Sequence, residues 1–223
     1  ILRRQQEAEA FARANGETVQ DLRTSLDRIR RRLFAEREKR PRPHRDEKIL
    51  LNWNALTVTA YAKAAAVLGR ADYRETAVRH LDFLLSTFLR EDGSLLHRYA
   101  GGKTRFAAYL NDYAFLIEAL LEVYAVSFDE TYLDQARALT ETVMAHFHDP
   151  QDHLFFFTRG DASDLLLRRK EVYDAEMPSG SAAMVRNLRR LGLLFDRPGW
   201  RKAAADALLA MRKAVREDPL PFA

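Results

Sequence analysis

Hydrophobic positions along this chain alternate between two helical patterns. In the first, apolar residues occupy almost every side of the predicted helix, as in 54–68, 112–126 and 182–195. In the second, apolar residues form a single stripe that begins with Tyr73, Tyr132 or Trp200 and continues with an alanine four residues later. A helix that is apolar all round is buried on most sides, whereas a single stripe indicates one exposed face. The pattern therefore predicts an all-α chain in which buried helices alternate with half-exposed ones.

The alternation repeats three times, which predicts three stacked helical hairpins. The stripes start 132 − 73 = 59 and 200 − 132 = 68 residues apart, longer than the roughly 34–47 residues of familiar helical solenoids. Short extended segments at 94–99 and 154–158 follow the first two striped helices. These long units favour an (α/α) toroid with an inner and an outer helical layer, of which three hairpins form about half of an (α/α)6 barrel. The open flanks predict that the other half comes from the rest of a longer chain or from a second copy, as a homodimer.

The first 45 residues form a different region, a basic helical lead-in to the hairpins of 46–223. A helix ends at Asn15 and Gly16, and Thr18, with Asp21 three residues later, is predicted to cap a second one. Pro41 then stops that helix. Residues 1–45 carry 13 Lys and Arg against 7 Asp and Glu, so the remainder has a net charge of +4 − 6 = −2. Because acids are interspersed and aromatics are sparse, we interpret the arm as a solvated helical face and predict no nucleic-acid partner.

The composition excludes several classes of protein. The chain has no cysteine, which excludes disulfides, thiolate metal sites and a cysteine nucleophile. No apolar run reaches the roughly 18 residues of a membrane span, and the charged first residues are not a signal peptide, so we expect a cytoplasmic protein without membrane contact. The absence of a starting Met suggests a longer parent chain. No phosphate loop or dinucleotide motif is present, and the His and Asp residues of 146–153 are interpreted as a helix end and turn, so no cofactor or metal is predicted.

Candidate chemistry lies where the inner helices begin, because their N-termini should face one mouth with unpaired N–H groups. Carboxylates on opposite sides of that mouth would supply the acid and base for a sugar, flat aromatics would stack on its ring, and neighbouring polar groups would orient it. Helix capping and core packing are the alternative explanations for several of these side chains. The candidate acid and base are Asp112 and Asp174, the stacking residues are Trp53, Tyr113 and Tyr173, and the orienting residues are Lys48, Asn54 and Ser179.

Two sugar reactions remain open from the residues alone. Glycoside hydrolysis uses two carboxylates, whereas epimerisation next to a carbonyl is best served by a histidine base. No histidine lies at the predicted inner-helix starts, and His44 is the nearest. An enzyme that uses Asp112 and Asp174 as acid and base requires both carboxylates to face one open cleft. Carboxylates that point into separate helix caps would count against this enzyme and favour a non-catalytic docking toroid.

Four short motifs together resemble a known family. They are the run Arg40–Lys48, Trp53-Asn54, Asn111-Asp112-Tyr113-Ala114, and Glu171-Val172-Tyr173-Asp174 followed by Pro178-Ser179-Gly180. The chain is similar, over nearly its whole length, to bacterial thioredoxin-domain-containing proteins related to spermatogenesis-associated protein 20. It departs from them at Ala55, where the family usually has Gly, and at Ser181, where it usually has Asn.

The resemblance implies a six-hairpin toroid akin to N-acylglucosamine 2-epimerases and toroidal glycosidases. It also implies a thioredoxin-like domain upstream of Ile1. The family has no settled activity, so two hypotheses follow: a carbohydrate-active toroid with a sugar ligand, or a non-catalytic toroid that docks partners for the attached thioredoxin-like domain.

Overall fold

The computed structural model describes residues 6–161 and 167–219, which form two compact units with a boundary between Asp46 and Glu47. The first unit contains helices α1 (Ala8–Ala14) and α2 (Val19–Glu38). The predicted cap of α2 is confirmed, since Thr18 Oγ1 accepts a hydrogen bond from the Asp21 N–H at 3.1 Å. None of the helices in the described ranges has the length and apolar character needed to cross a membrane.

The second unit consists of three helical hairpins, as the alternating pattern predicted. They are α3 (Leu51–Leu68) with α4 (Ala71–Phe88), α5 (Leu110–Ser127) with α6 (Glu130–His146), and α7 (Gly180–Leu194) with α8 (Pro198–Glu217). In each hairpin the two helices pack together, and the first helices also pack side by side in the order α3, α5, α7. The prediction of an (α/α) toroid is confirmed, with α3, α5 and α7 as the inner layer.

Helix α5 is the centre of the core, because helices pack against it on several sides. Its residues from Asp112 to Leu121 are all buried, and most belong to the main apolar cluster. Glu118 faces both neighbouring inner helices and pairs with Lys63 of α3 and Arg186 of α7, each at 3.1 Å. Such pairs explain why α7 carries arginines within an otherwise apolar pattern.

A small antiparallel sheet of three strands lies beside the inner helices. Its strands are β1 (Ile49–Leu50), β2 (Leu96–Ala100) and β3 (Lys103–Ala107), in the order β1-β2-β3. The extended segment 94–99 was predicted, whereas β3 was not. Because Ile49 pairs with Tyr99, the sheet brings β2 next to the first turn of α3. Segment 154–158 is extended as expected and forms bridges from Phe155 to His148 and from Phe156 to Lys170.

Candidate functional site

A cleft of about 520 Å³ opens where α5 and α7 begin, a size within the range of small-molecule sites. It combines groups from the start of α3, strand β2, the start of α5 and the irregular segment that leads into α7. The lining residues are Asn52, His97, Tyr109, Asn111, Phe157, Arg169, Lys170, Glu171, Tyr173 and Ala175–Gly180. The expectation of a shared mouth at the inner-helix starts is therefore met for these three helices.

His97 lines the cleft and forms a pair with Asp112, which lies behind the cleft wall. Asp112 is completely buried, and its carboxylate accepts from the Tyr109 N–H at 2.8 Å and the Asn52 N–H at 3.1 Å. His97 Nδ1 lies 2.9 and 3.0 Å from the two carboxylate oxygens. Because an ionised carboxylate only accepts, the proton of a neutral His97 sits on Nδ1. The Nε2 atom is then the unprotonated nitrogen, and it makes no hydrogen bond within the described ranges.

The environment of Asp112 controls the charge of the pair. Burial raises the pKa of the Asp112 carboxyl, and the hydrogen bonds from His97, Tyr109 and Asn52 oppose that rise. A buried carboxylate is stabilised by a positive partner. The hydrogen bond to His97 Nδ1 fixes the orientation of the imidazole, which is the arrangement of a histidine base with an orienting acid.

Flat aromatic rings form one wall of the cleft. Tyr109 stacks on Phe157 with 4.7 Å between ring centroids and 13° between planes, and His97 meets Tyr109 edge-on at 5.0 Å. The Leu110 N–H donates to the Phe157 carbonyl oxygen at 2.9 Å, which ties this wall to the first turn of α5. Such a wall offers an apolar face beside the polar groups of His97.

Asp174 lies at the start of α7 and serves its backbone. Its Oδ1 accepts from the Ser179 N–H at 2.6 Å, and the Ser179 hydroxyl in turn accepts from Ala182 N–H at 3.4 Å. The Ser179 and Ser181 hydroxyls donate to the Glu171 carbonyl oxygen at 3.3 and 2.8 Å. These bonds fix the segment that borders the cleft.

The expectation that Asp112 and Asp174 both face one open cleft is wrong. Asp112 has no exposed surface, and both carboxylates accept backbone N–H groups at helix starts. Capping, the alternative weighed from the sequence, describes this geometry for both residues. The physical reason is that a helix start presents unpaired donors, which a nearby carboxylate satisfies.

Two other candidates are also placed away from the cleft. Tyr113 is fully buried, its hydroxyl accepts from the Leu95 N–H at 3.0 Å, and its ring packs on Phe147, so stacking on a ligand is wrong for this residue. Asn54 donates to the Leu50 carbonyl oxygen at 2.8 Å and lies 3.0 Å from His80 Nε2 on α4. Its carboxamide joins the first hairpin internally.

The remaining candidates keep their roles as predictions. Tyr173 and Ser179 line the cleft, with Tyr173 half exposed and Ser179 buried. Trp53 is 56% exposed on α3 and Lys48 is exposed just before β1, and neither lines the cleft.

Both cations of the cleft wall already have carboxylate partners. Lys170 Nζ lies 2.6 Å from carboxylate oxygens of Asp149 and Asp152, and Arg169 lies 2.6 Å from Glu171. The contacts of Lys170 occupy both acids of the His and Asp group at 146–153. Across 6–161 and 167–219, no three potential ligands are grouped to hold a metal ion.

His97 is a candidate site residue that the sequence analysis did not identify. It lies on β2, away from the inner-helix starts where a base was sought, and only strand pairing and the packing of the hairpins bring it to Asp112. The available signal was a histidine within a short extended segment preceding an inner helix that begins with an aspartate.

No family model matches the chain, but comparison with individual protein sequences identifies relatives. It is 30% identical to human spermatogenesis-associated protein 20 over 215 residues, 92% of this chain and 27% of that protein. The mouse protein of the same name is 30% identical over 222 residues, 95% of this chain and 28% of that protein.

The resemblance to the spermatogenesis-associated protein 20 family is confirmed. The chain spans about a quarter of the length of these curated relatives, and a Caenorhabditis elegans relative at 27% identity is described as uncharacterized. The sequence similarity therefore relates the chain to this family and does not assign a reaction to it.

Solved structures similar to this chain are carbohydrate-active toroids. A glycoside hydrolase family 76 α-mannanase from Bacteroides thetaiotaomicron superposes with a TM-score of 0.63 at 16% identity, covering 77% of this chain and 46% of that one. Cellobiose 2-epimerase from Spirochaeta thermophila gives 0.60 at 16% identity, with 74% and 43% covered. A D-mannose isomerase gives 0.59 at 16% identity, with 74% and 40% covered. At these identities the likeness shows the fold, which is that of toroidal sugar enzymes.

Proposed function

We propose that the cleft binds a sugar and that His97 transfers a proton at the carbon next to the sugar carbonyl, as in aldose–ketose isomerisation or epimerisation. The observation that carries this proposal is the His97 Nδ1 bond to buried Asp112, which leaves Nε2 as the base in an aromatic-walled cleft. Similarity of fold to an epimerase and an isomerase supports it.

The proposed step conserves atoms and electrons. Nε2 takes the proton from C2 of an open-chain aldose, the C2–H electron pair forms a C1=C2 bond, and the carbonyl oxygen takes a proton from solvent to give an enediol. The imidazolium then returns its proton to C1 while O2 loses its own, which gives the ketose. Return of the proton to C2, with loss of the O1 proton, would give the epimer if the enediol first turns its opposite face toward the imidazolium. The Asp112 carboxylate holds the imidazole and stabilises the imidazolium.

Glycoside hydrolysis is less well supported by the same cleft. It requires two carboxyl groups that flank the scissile bond. Asp112 is completely buried and Asp174 accepts a backbone N–H, so neither is presented to a glycosidic oxygen. We therefore favour proton transfer by the histidine.

The test is turnover of an aldose panel, including mannose, glucose and cellobiose, by the full-length protein, with product measured by NMR. His97→Gln should lower kcat about 100-fold or more, because a positioned general base contributes about that much. Thermal stabilisation by the bound sugar should survive in this variant. His44→Gln, at an exposed position outside the second unit, is the matched control and should leave turnover unchanged. Equal kcat for His97→Gln and the wild type would refute the base assignment.

The non-catalytic toroid remains the second candidate because apolar side chains are exposed at the C-terminal ends of the inner helices. Val67 and Leu68 on α3 and Phe128 after α5 are the clearest examples. Charged replacements of these residues should abolish association with a partner and leave sugar turnover intact. A wild type that neither binds nor converts any sugar would favour this candidate.

A further inference from the structure

The helix starts at the cleft are already occupied by the protein's own carboxylates. Asp112 accepts N–H groups at the starts of α5 and α3, through Tyr109 and Asn52, and Asp174 accepts Ser179 N–H at the start of α7. Helix N-termini are otherwise favourable places for phosphate or carboxylate groups. At these helix starts an anionic ligand would therefore encounter the carboxylates of Asp112 and Asp174 and not free N–H donors.

The cationic side chains of the cleft are also balanced. Arg169 pairs with Glu171, and Lys170 pairs with Asp149 and Asp152. Glu176, which also lines the cleft, adds a further carboxylate. A phosphate here would compete with these carboxylates for the two cations and would lie near the negative charge of Glu176. The charge pattern of the cleft thus favours an uncharged ligand.

Asn111 is a polar side chain of the cleft without a hydrogen-bond partner among the described residues. Asn111 is half-buried in the first turn of α5 and lines the cleft, and its carboxamide forms no hydrogen bond within 6–161 and 167–219. A carboxamide offers both donors and an acceptor. It can therefore bond a hydroxyl in either direction.

The position of Asn111 depends on Gly180 at the start of α7. A Cβ at Gly180 would lie 2.1 Å from Asn111 Oδ1 and 3.2 Å from Asn111 Cα. Gly180 begins a regular helix and does not have a positive φ, so its backbone conformation does not require glycine. What requires glycine is the close approach of the Asn111 side chain.

We infer that the cleft selects an uncharged sugar and that Asn111, positioned by Gly180, recognises a hydroxyl of that sugar. The inference deepens the proposed function and rests on the cleft being a sugar site. It assigns a specificity role to Asn111 and a positioning role to Gly180, and it excludes sugar phosphates and uronic acids as ligands.

Binding is measured by calorimetry in the His97→Gln background, so that no turnover intervenes. The probes are the neutral aldose that the wild type converts best, its 6-phosphate and its uronate. If turnover identifies none, mannose, glucose and cellobiose are used as the neutral probes. We expect the charged probes to bind about 10-fold more weakly or worse, and Asn111→Ala to weaken the neutral sugar about 3- to 10-fold, the range for one neutral hydrogen bond. Gly180→Ala should weaken it similarly, and the double variant should lose no more, since both changes remove one contact.

Gly199→Ala is the matched control, because a Cβ at Gly199 has no atom within 4 Å. It should leave the affinity unchanged and should not lower the melting temperature, since alanine favours a helix more than glycine does. If Gly180→Ala does not fold, Asn111→Ala alone carries the test. Preference for the phosphate or uronate, or full affinity in Asn111→Ala, would overturn the inference while leaving the base assignment standing. Neutral binding without wild-type turnover would overturn proton transfer alone, and no sugar binding would overturn both.

Discussion

Replacing Asp112 by asparagine tests the pair that organises the cleft. The carboxylate accepts three donors: the N–H groups of Tyr109 and Asn52 and the Nδ1–H of His97. An amide keeps one oxygen and substitutes an NH2 group that cannot accept. At least one donor must then face another donor in a site with no exposed surface.

The expected cost follows from these contacts. A hydrogen bond to a charged group contributes about 1.5–3 kcal/mol, and a buried donor left unpaired costs about 1–3 kcal/mol. Removing a buried charge offsets part of this loss of stability, because burial disfavours the ionised form of Asp112. We therefore expect Asp112→Asn to lower the free energy of unfolding by about 2–4 kcal/mol.

Asp174→Asn is the matched comparison, since Asp174 is half-buried and accepts one backbone N–H. Asparagine keeps an acceptor oxygen for this N–H, so the change should cost less than the about 1 kcal/mol of losing a cap. Urea unfolding followed by circular dichroism at pH 7 gives both values, and the ¹⁵N shifts of His97 report its tautomer. Asp112→Asn should also remove the preference for the Nδ1–H form. A loss no larger than that of Asp174→Asn, with the tautomer unchanged, would refute the role given to Asp112.

Two further predictions concern stability. His148 Nε2 is buried without a partner in the described residues, and desolvation, with His153 and Lys170, lowers the pKa of His148 while Asp149 and Asp152 oppose the shift. Because the pKa of His148 is lowered in the folded state, its contribution to stability is present above about pH 6.5 and is lost as the pH falls through the pKa of the folded state. His148→Phe should therefore raise the urea midpoint at pH 5 more than at pH 7.5. An equal or opposite change would contradict this. Asn187 is buried and its Nδ2 donates to the Ala114 carbonyl oxygen at 2.8 Å, joining α7 to α5; Asn187→Ala should lower the free energy of unfolding by about 1–3 kcal/mol, and a change below about 0.5 kcal/mol would exclude that role.

Helical periodicity predicted the architecture because burial is periodic along each helix. Helix α5 is apolar on nearly every side and is buried accordingly, while α4, α6 and α8 bury only a stripe. The arginines of α7 obscured its pattern, because Arg186 and Arg190 pair across the inner layer with Glu118 and Glu122. Local pattern cannot show such a partner on another helix.

The site was only partly predictable because its chemistry depends on pairing between distant segments. An aspartate near a helix start satisfies the same sequence pattern whether it caps the helix or faces a ligand, and Asp112 does so while also holding His97. Strand β3 was missed, and with it the sheet that places His97. Its Phe106 has a positive φ and is exposed, so no alternation of buried and exposed residues indicates a strand there.

The most direct measurement of the central claim is the position of solvent deuterium in the sugar. The full-length protein is incubated in D2O with the aldose that binds best, and the recovered sugar is analysed by NMR. Proton transfer by His97, with exchange of the imidazolium proton with D2O before it is returned, predicts deuterium at C2 or at C1 of the ketose, and none with His97→Gln. A wild type that binds the sugar but neither labels these carbons nor converts the sugar would contradict the proposal.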